Sequence, residues 1–121
     1  MKVKRVKIGI KSMANALDDF VRTAEAVQRG ERKKKETGVY FTSLEAFRRA
    51  LTPQRLNLLR VIREGNPASL HELARLAQRN IKNISDDVKY LAQVGLIELR
   101  DSSNKTSARV NYDKIMLEIA V

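Results

Sequence analysis

Apolar and polar positions change their period several times along this chain, and each change marks an element. In VKRVKIGI, Val3, Val6, Ile8 and Ile10 roughly alternate with Lys and Arg, the period of two that predicts a half-buried strand with a charged outer face. Ser12 can cap a helix, and from there the spacing shifts to steps of four and three through Met13, Leu17, Phe20, Ala24 and Val27, until Gly30. That stripe is one apolar face of an amphipathic helix. A strand and one such helix cannot bury themselves alone, so this unit is expected to pack on the rest of the chain or on a second copy. The stretch from Gly30 to Gly38, GERKKKETG, has no apolar residue and reads as a solvated loop.

The second part of the chain is a series of capped helices. Val39 to Phe41 reads as a short strand, and Thr42 with Glu45 as a capping box opening a helix through Leu44, Phe47 and Leu51. Thr52-Pro53 is a second start signal, cap then proline at the first helical position. Leu56, Leu59 and Ile62 are expected on its buried side, with Leu58 and Val61 widening the stripe. Asn66-Pro67 then turns the chain, Ser69 caps, Glu72 closes the box, and Leu70, Leu73, Leu76 and Ala77 are expected to face inward. After Gln78, Arg79 and Asn80, a further helix carries Ile81, Ile84, Val88 and Leu91 and breaks at Gly95. Two helices joined by a turn of about three residues predict a helix-turn-helix. LIELRDSSNKTSARVNY follows as a β-hairpin, with Ile97 and Leu99 inward, DSSNKTS turning and Ala108 to Tyr112 returning. A hairpin in that place is a wing. Finally Ile115, Leu117, Ile119 and Val121 alternate, which favours a C-terminal strand whose natural mate is the N-terminal one.

The predicted fold class is therefore α+β: a winged helix-turn-helix domain over 39–121 with an N-terminal strand-helix extension over 1–38. The extension is read as a dimerisation or partner segment with a basic loop. Composition narrows the function. Twenty-four Lys and Arg against 14 Asp and Glu give a net charge of +10, which makes a polyanion the default partner, nucleic acid first and an anionic membrane or ribosomal surface behind it. The excess is concentrated in 1–38, with 11 basic against 5 acidic residues, while 53–121 hold 11 against 8. The chain has no cysteine and a single histidine, His71, so no disulfide framework, thiolate metal site or cysteine nucleophile is available. No catalytic triad, phosphate-cradling glycine loop or metal-ligand set is spaced along it, so neither an enzyme nor a cofactor is expected. There is no signal-peptide core and no apolar run near the ~18 residues of a membrane span. A soluble cytoplasmic protein is the expectation, with no membrane partner.

In NIKNISDDVKYL, the helix read as entering DNA, two aspartates stand in the middle. At ~100° per residue with the buried stripe centred on Ile84 and Val88, Lys82, Asp86, Lys89 and Gln93 fall on the opposite side, with Ser85 and Asn83 on its two edges. Asp87 falls at the border of the buried stripe and is given a structural role, pairing with a basic residue of a neighbouring helix or satisfying the turn. Asp86 points outward, where a carboxylate is repelled by phosphates but can accept from cytosine N4. Lys82, Asn83, Ser85, Asp86 and Lys89 are thus the candidate base contacts, with Asn83 suited to adenine and Lys82 to guanine or phosphate. Ser69, His71, Arg79, Arg100, Lys105 and Arg109 are the candidate phosphate contacts. Among them Arg79, Arg100, Lys105 and Arg109 join Lys82 and Lys89 in offsetting Asp86. His71 reads as a surface or phosphate-contacting residue, and Lys33-Lys34-Lys35 as a solvated run. Tyr90 and Tyr112 read as packing groups with wet hydroxyls. Val6, Ile8, Ile10, Met13, Leu17, Phe20, Ala24, Val27, Ile115, Leu117 and Ile119 are the candidate homodimer interface.

With these pieces in order, residues 39–121 resemble winged helix-turn-helix transcriptional regulators of the broad MarR/ArsR-like group. The whole chain is similar to a family of small predicted prokaryotic regulators, through RGE, FTSLE, LTPQRLNLLR, HELARLA, KNISDDVKYLAQVGLIE and YDKIMLEI. Where that family tends to carry His and Arg before DVK, this chain has Ser85 and Asp86. The resemblance implies double-stranded DNA binding as a homodimer, with repression of the protein's own operon. It implies a second reading too, an antitoxin-type module that neutralises a toxin protein, with DNA binding auxiliary.

Overall fold

The computed structural model describes residues 5–30 and 38–120. Val3, Val121 and the Lys33-Lys34-Lys35 run lie outside the described residues, as does the side chain of Met13. Among the described residues two sheets and five helices follow in the order β1 (Arg5–Ile10), α1 (Met13–Gln28), β2 (Gly38–Phe41), α2 (Leu44–Ala50), α3 (Pro53–Gly65), α4 (Leu70–Ala77), α5 (Ile81–Val94), β3 (Glu98–Ser102), β4 (Lys105–Arg109) and β5 (Lys114–Ile119). The architecture is α+β, with a helix-turn-helix followed directly by a hairpin.

β1 is the centre of a three-stranded sheet of order β2-β1-β5. Both pairings are parallel, with Ile8 opposite Val39 on one side and Leu117 on the other. The expected partnership of the terminal strands is present within the chain. Alternation sends Val6 and Ile8 to the face that packs on the helices, together with Val39 and Ile115. Gly9 points the other way, and the Tyr40 ring lies over it so closely that a Cβ there would sit 2.8 Å from two ring carbons. Ile8 is fully buried in the intrachain core, so it is not a dimer contact as the sequence suggested; the helices behind the sheet already cover it.

Three expected core positions move. Leu56 is 45% exposed while Leu58 joins Leu59 and Ile62 in the core, because α3 is rotated by part of a turn from the narrow stripe inferred. Leu76 is exposed, and α4 buries Leu73 and Ala74 instead. Leu99 is exposed on the wing, leaving Leu96 and Ile97 as the buried pair after α5. The cap of α2 is Ser43, whose hydroxyl accepts from Ala46 N at 3.1 Å. Glu45 therefore closes no box with Thr42 and pairs with Arg49 at 2.6 Å, one turn on.

Candidate nucleic-acid interface

Ser69 begins α4 as anticipated, its hydroxyl accepting from Glu72 N at 3.1 Å, while the Glu72 carboxylate reaches back to Ala68 N. These bonds satisfy amides that a helix start leaves unpaired. α4 ends at Gln78 in the left-handed conformation, Arg79 crosses, and Asn80 caps α5 by accepting from Lys82 N at 2.7 Å. Gly95, at φ +95°, ends α5 in a conformation that costs other residues strain. α5 sinks Ile84, Val88 and Leu91 into the core. Its outer side leaves Lys82, Asn83, Asp86, Lys89 and Gln93 exposed, with Ser85 half-buried. The predicted face is the one that the fold presents.

The wing is tighter than DSSNKTS suggested. β3 and β4 pair as far as Ser102 with Lys105, so only Ser103 and Asn104 turn, both at positive φ, the two-residue turn whose twist matches a hairpin. This brings the tip back toward α5. Ser69, His71, Ser85 and Lys105 line one cleft of about 250 Å3, together with Leu70, Ile81, Asn104 and Thr106. Four residues proposed separately from sequence thus share one surface, at the start of α4 and beside the wing tip. Asn104 and Thr106 were not foreseen; their place depends on the turn being two residues long.

Asp86 and Asp87 part company. Asp87 accepts from Arg79 Nη2 at 2.8 Å and from Arg55 Nε at 3.2 Å, with its side chain 15% exposed. Arg55 also donates through Nη1 to the carbonyls of Arg49 and Ala50, and its guanidinium lies 4.3 Å from the centre of the Tyr90 ring. One carboxylate therefore ties α3, the turn and α5 together. Arg55 went unnoticed in the sequence because its role depends on the approach of α3 to α5; the one hint was the need of Asp87 for a basic neighbour.

Two candidate phosphate contacts are engaged within the chain. Arg79 is committed to Asp87 and has its Nη1 buried. Arg109 donates to the Pro67 carbonyl at 2.7 Å and to that of Ala108 at 3.0 Å, fixing the wing base to the loop before α4. Arg100 and Lys105 stay exposed on the wing, Arg100 within 3.4 Å of Glu98. Of the six cations invoked against Asp86, Lys82, Lys89, Arg100 and Lys105 remain on the surface. Tyr112 is half-buried: its hydroxyl donates to the Leu96 carbonyl at 2.7 Å, and burial pushes its pKa up to about 12.

Among the described residues no cluster of three or more His, Cys, Asp or Glu could hold a metal ion, and no helix is long and apolar enough to cross a membrane. Comparison with known proteins gives one family model, HVO_A0114, which matches residues 50–117. No curated protein matches the chain. Among solved structures, a homodimeric winged helix-turn-helix DNA-binding domain from Mycobacterium bovis, described as a possible ArsR-family transcriptional regulator, is similar at 20% identity with a TM-score of 0.47. The match covers 80% of this chain and 68% of that one.

Proposed function

The chain belongs to the HVO_A0114 family, and from its surface we propose a sequence-specific double-stranded DNA-binding transcriptional regulator that represses its own gene. The observation carrying this reading is the continuity of the outer face of α5 with the cleft between the α4 start and the wing tip. A helix with Lys82, Asn83 and Lys89 outward suits the donor and acceptor pattern of a major groove. Ser69, His71 and Lys105 around one cleft offer hydroxyl, imidazole and ammonium groups to the flanking phosphates, which fix register without reading sequence. Arg100 adds a further cation along the hairpin. Asp86 lowers affinity for every phosphate backbone and lets the helix favour a cytosine edge. The protein then trades affinity for selectivity, and the wing supplies the affinity.

The test is a titration against the duplex upstream of the protein's own gene and a scrambled duplex of equal length, each at two salt concentrations. A preference of at least tenfold for the native duplex that persists at the higher salt is the expected outcome. Equal binding to both that vanishes with salt would leave only a basic surface and reject the reading.

A further inference from the structure

The cations of α5 are unevenly placed around Asp86. At ~100° per residue, Lys82 and Lys89 lie about 40° and 60° from Asp86 toward Ser85 and the wing tip, whereas the other way round come Tyr90, Asn83 and Asp87. That second flank has no Lys or Arg of its own. A major groove is about 12 Å wide and a helix with its side chains about 10–12 Å across, so a helix seated in the groove has a phosphate backbone along both flanks. On the flank away from the wing, positive charge has to come from another element.

The junction of α2 and α3 supplies it. Arg49, Thr52, Gln54 and Arg55 line a polar cleft of about 380 Å3 that Asn83 and Asp86 complete from α5, and Arg79 and Asp87 border it as well. Arg55 and Arg79 share the single charge of Asp87, so that network keeps one positive charge in excess. The buried Nη1 of Arg79 has no hydrogen-bond partner among the described residues, and a negative group over the cleft offsets the cost of holding this donor away from water. Arg49 is the cation that can reach outward. Its side chain is 77% exposed and lies 2.6 Å from that of Glu45, itself 72% exposed; a pair this open contributes little and is readily exchanged for a phosphate. We propose that this cleft seats a backbone phosphate of the duplex on the flank of α5 opposite the wing, with Arg49 swinging to it and Gln54 donating its side-chain amide. The inference rests on the DNA-binding reading given above. The α4 start and the wing tip then hold one backbone and the α2–α3 junction the other. Asp86, midway between them, is kept over the base edges and away from both strands of phosphates.

The test uses the full chain, the duplex upstream of its own gene and a scrambled duplex. Arg49→Ala is expected to lower affinity for both duplexes about three- to tenfold and to reduce the slope of log K against log salt by about 0.9, the value of one phosphate contact. Arg49→Lys is expected to keep most of the affinity. The Arg49 side chain is exposed and the carbonyl, not the guanidinium, holds Arg55, so both variants are expected to unfold at the wild-type urea midpoint. Arg60→Ala removes an exposed cation of α3 that lines a different cleft; with salt screening charges away from the contact, it is expected to change binding less than about twofold. Ethylation interference gives the place. Modified phosphates are expected to block the wild type in two patches, one on each backbone bordering the groove, with Arg49→Ala losing sensitivity at one patch and Lys105→Ala at the other. An Arg49→Ala variant that binds as the wild type does, or that loses sensitivity at the same patch as Lys105→Ala, would overturn the seat while a weakened Lys105→Ala leaves the DNA reading standing. A wild-type chain with no preference for the native duplex rejects that reading, and the seat with it.

Discussion

Asp86 and Asp87 are chemically identical neighbours with opposite fates, and a turn of ~100° between them is the cause. The step points Asp87 at Arg55 and Arg79 and leaves Asp86 in solvent. That division was legible in the sequence, because it follows from the phase of Ile84 and Val88 alone. Which cations Asp87 would meet was not, because α3 reaches it across 32 residues of chain. Removing one partner from a largely buried charge network leaves the others desolvated and unpaired, so Asp87→Ala is expected to cost about 2–4 kcal/mol. Urea denaturation measures this, and a loss below ~0.5 kcal/mol would show that Arg55 and Arg79 find water instead. For Asp86→Ala the expected stability change stays within ~0.5 kcal/mol. Its effect belongs to binding: affinity for random duplex rises as a repulsive charge disappears, while the ratio of native to scrambled duplex falls. A variant that loses affinity for both duplexes would place Asp86 in an attractive contact and refute this assignment.

A cap is a local arrangement and so is legible in sequence at four helix starts, where Ser12, Thr52, Ser69 and Asn80 each accept from an amide two or three residues ahead; at α2 the cap is Ser43 and not the expected Thr42. Helix faces were read less well. In α3 five apolar residues span more than half of the circumference, and periodicity alone cannot choose between Leu56 and Leu58 when the sheet and α4 decide which is covered. The wing shows the same limit. Its alternation is plain, and Leu99 shares the face of the buried Ala108 opposite it, yet it stays 40% exposed, because how far the cover of a face extends along a ribbon is set by the neighbouring elements and not by alternation. The elements of the interface separate by role. Asn83→Ala is expected to weaken binding to one sequence and spare others, whereas Lys105→Ala is expected to weaken binding to all and to reduce the slope of log K against log salt by about 0.9. Equal losses on native and random duplex for both variants would remove Asn83 from the base contacts. Ser69→Ala carries a structural cost as well, about 1 kcal/mol for the lost cap, so its binding effect has to be compared at equal folded fraction.

Chain ends and middle are bound into one unit by β1, which lies between strands that follow it by about 30 and about 110 residues. The alternating pattern of both termini made their pairing foreseeable. What locks the return path was not foreseeable: Tyr112, just before β5, donates its hydroxyl to the Leu96 carbonyl just after α5. Burial raises this phenol's pKa from its ordinary 10 to about 12, since ionisation would put a charge in a partly dry setting. The sign of the linkage follows. The folded state holds the proton more tightly than the unfolded one, so the contribution is complete below pH 10 and is lost as pH rises from 10 through 12. Tyr112→Phe has no proton to lose but gives up the hydrogen bond, expected to cost about 1 kcal/mol at neutral pH. Lysines also titrate in the alkaline range, in both proteins alike, and cancel in the comparison. The stability advantage of the wild type over Tyr112→Phe is therefore expected to stay constant to about pH 10 and to shrink above it, as read from urea unfolding at successive pH values. An advantage that holds unchanged to pH 11.5 would mean that the phenol titrates alike in the folded and unfolded chain and that burial does not hold its proton.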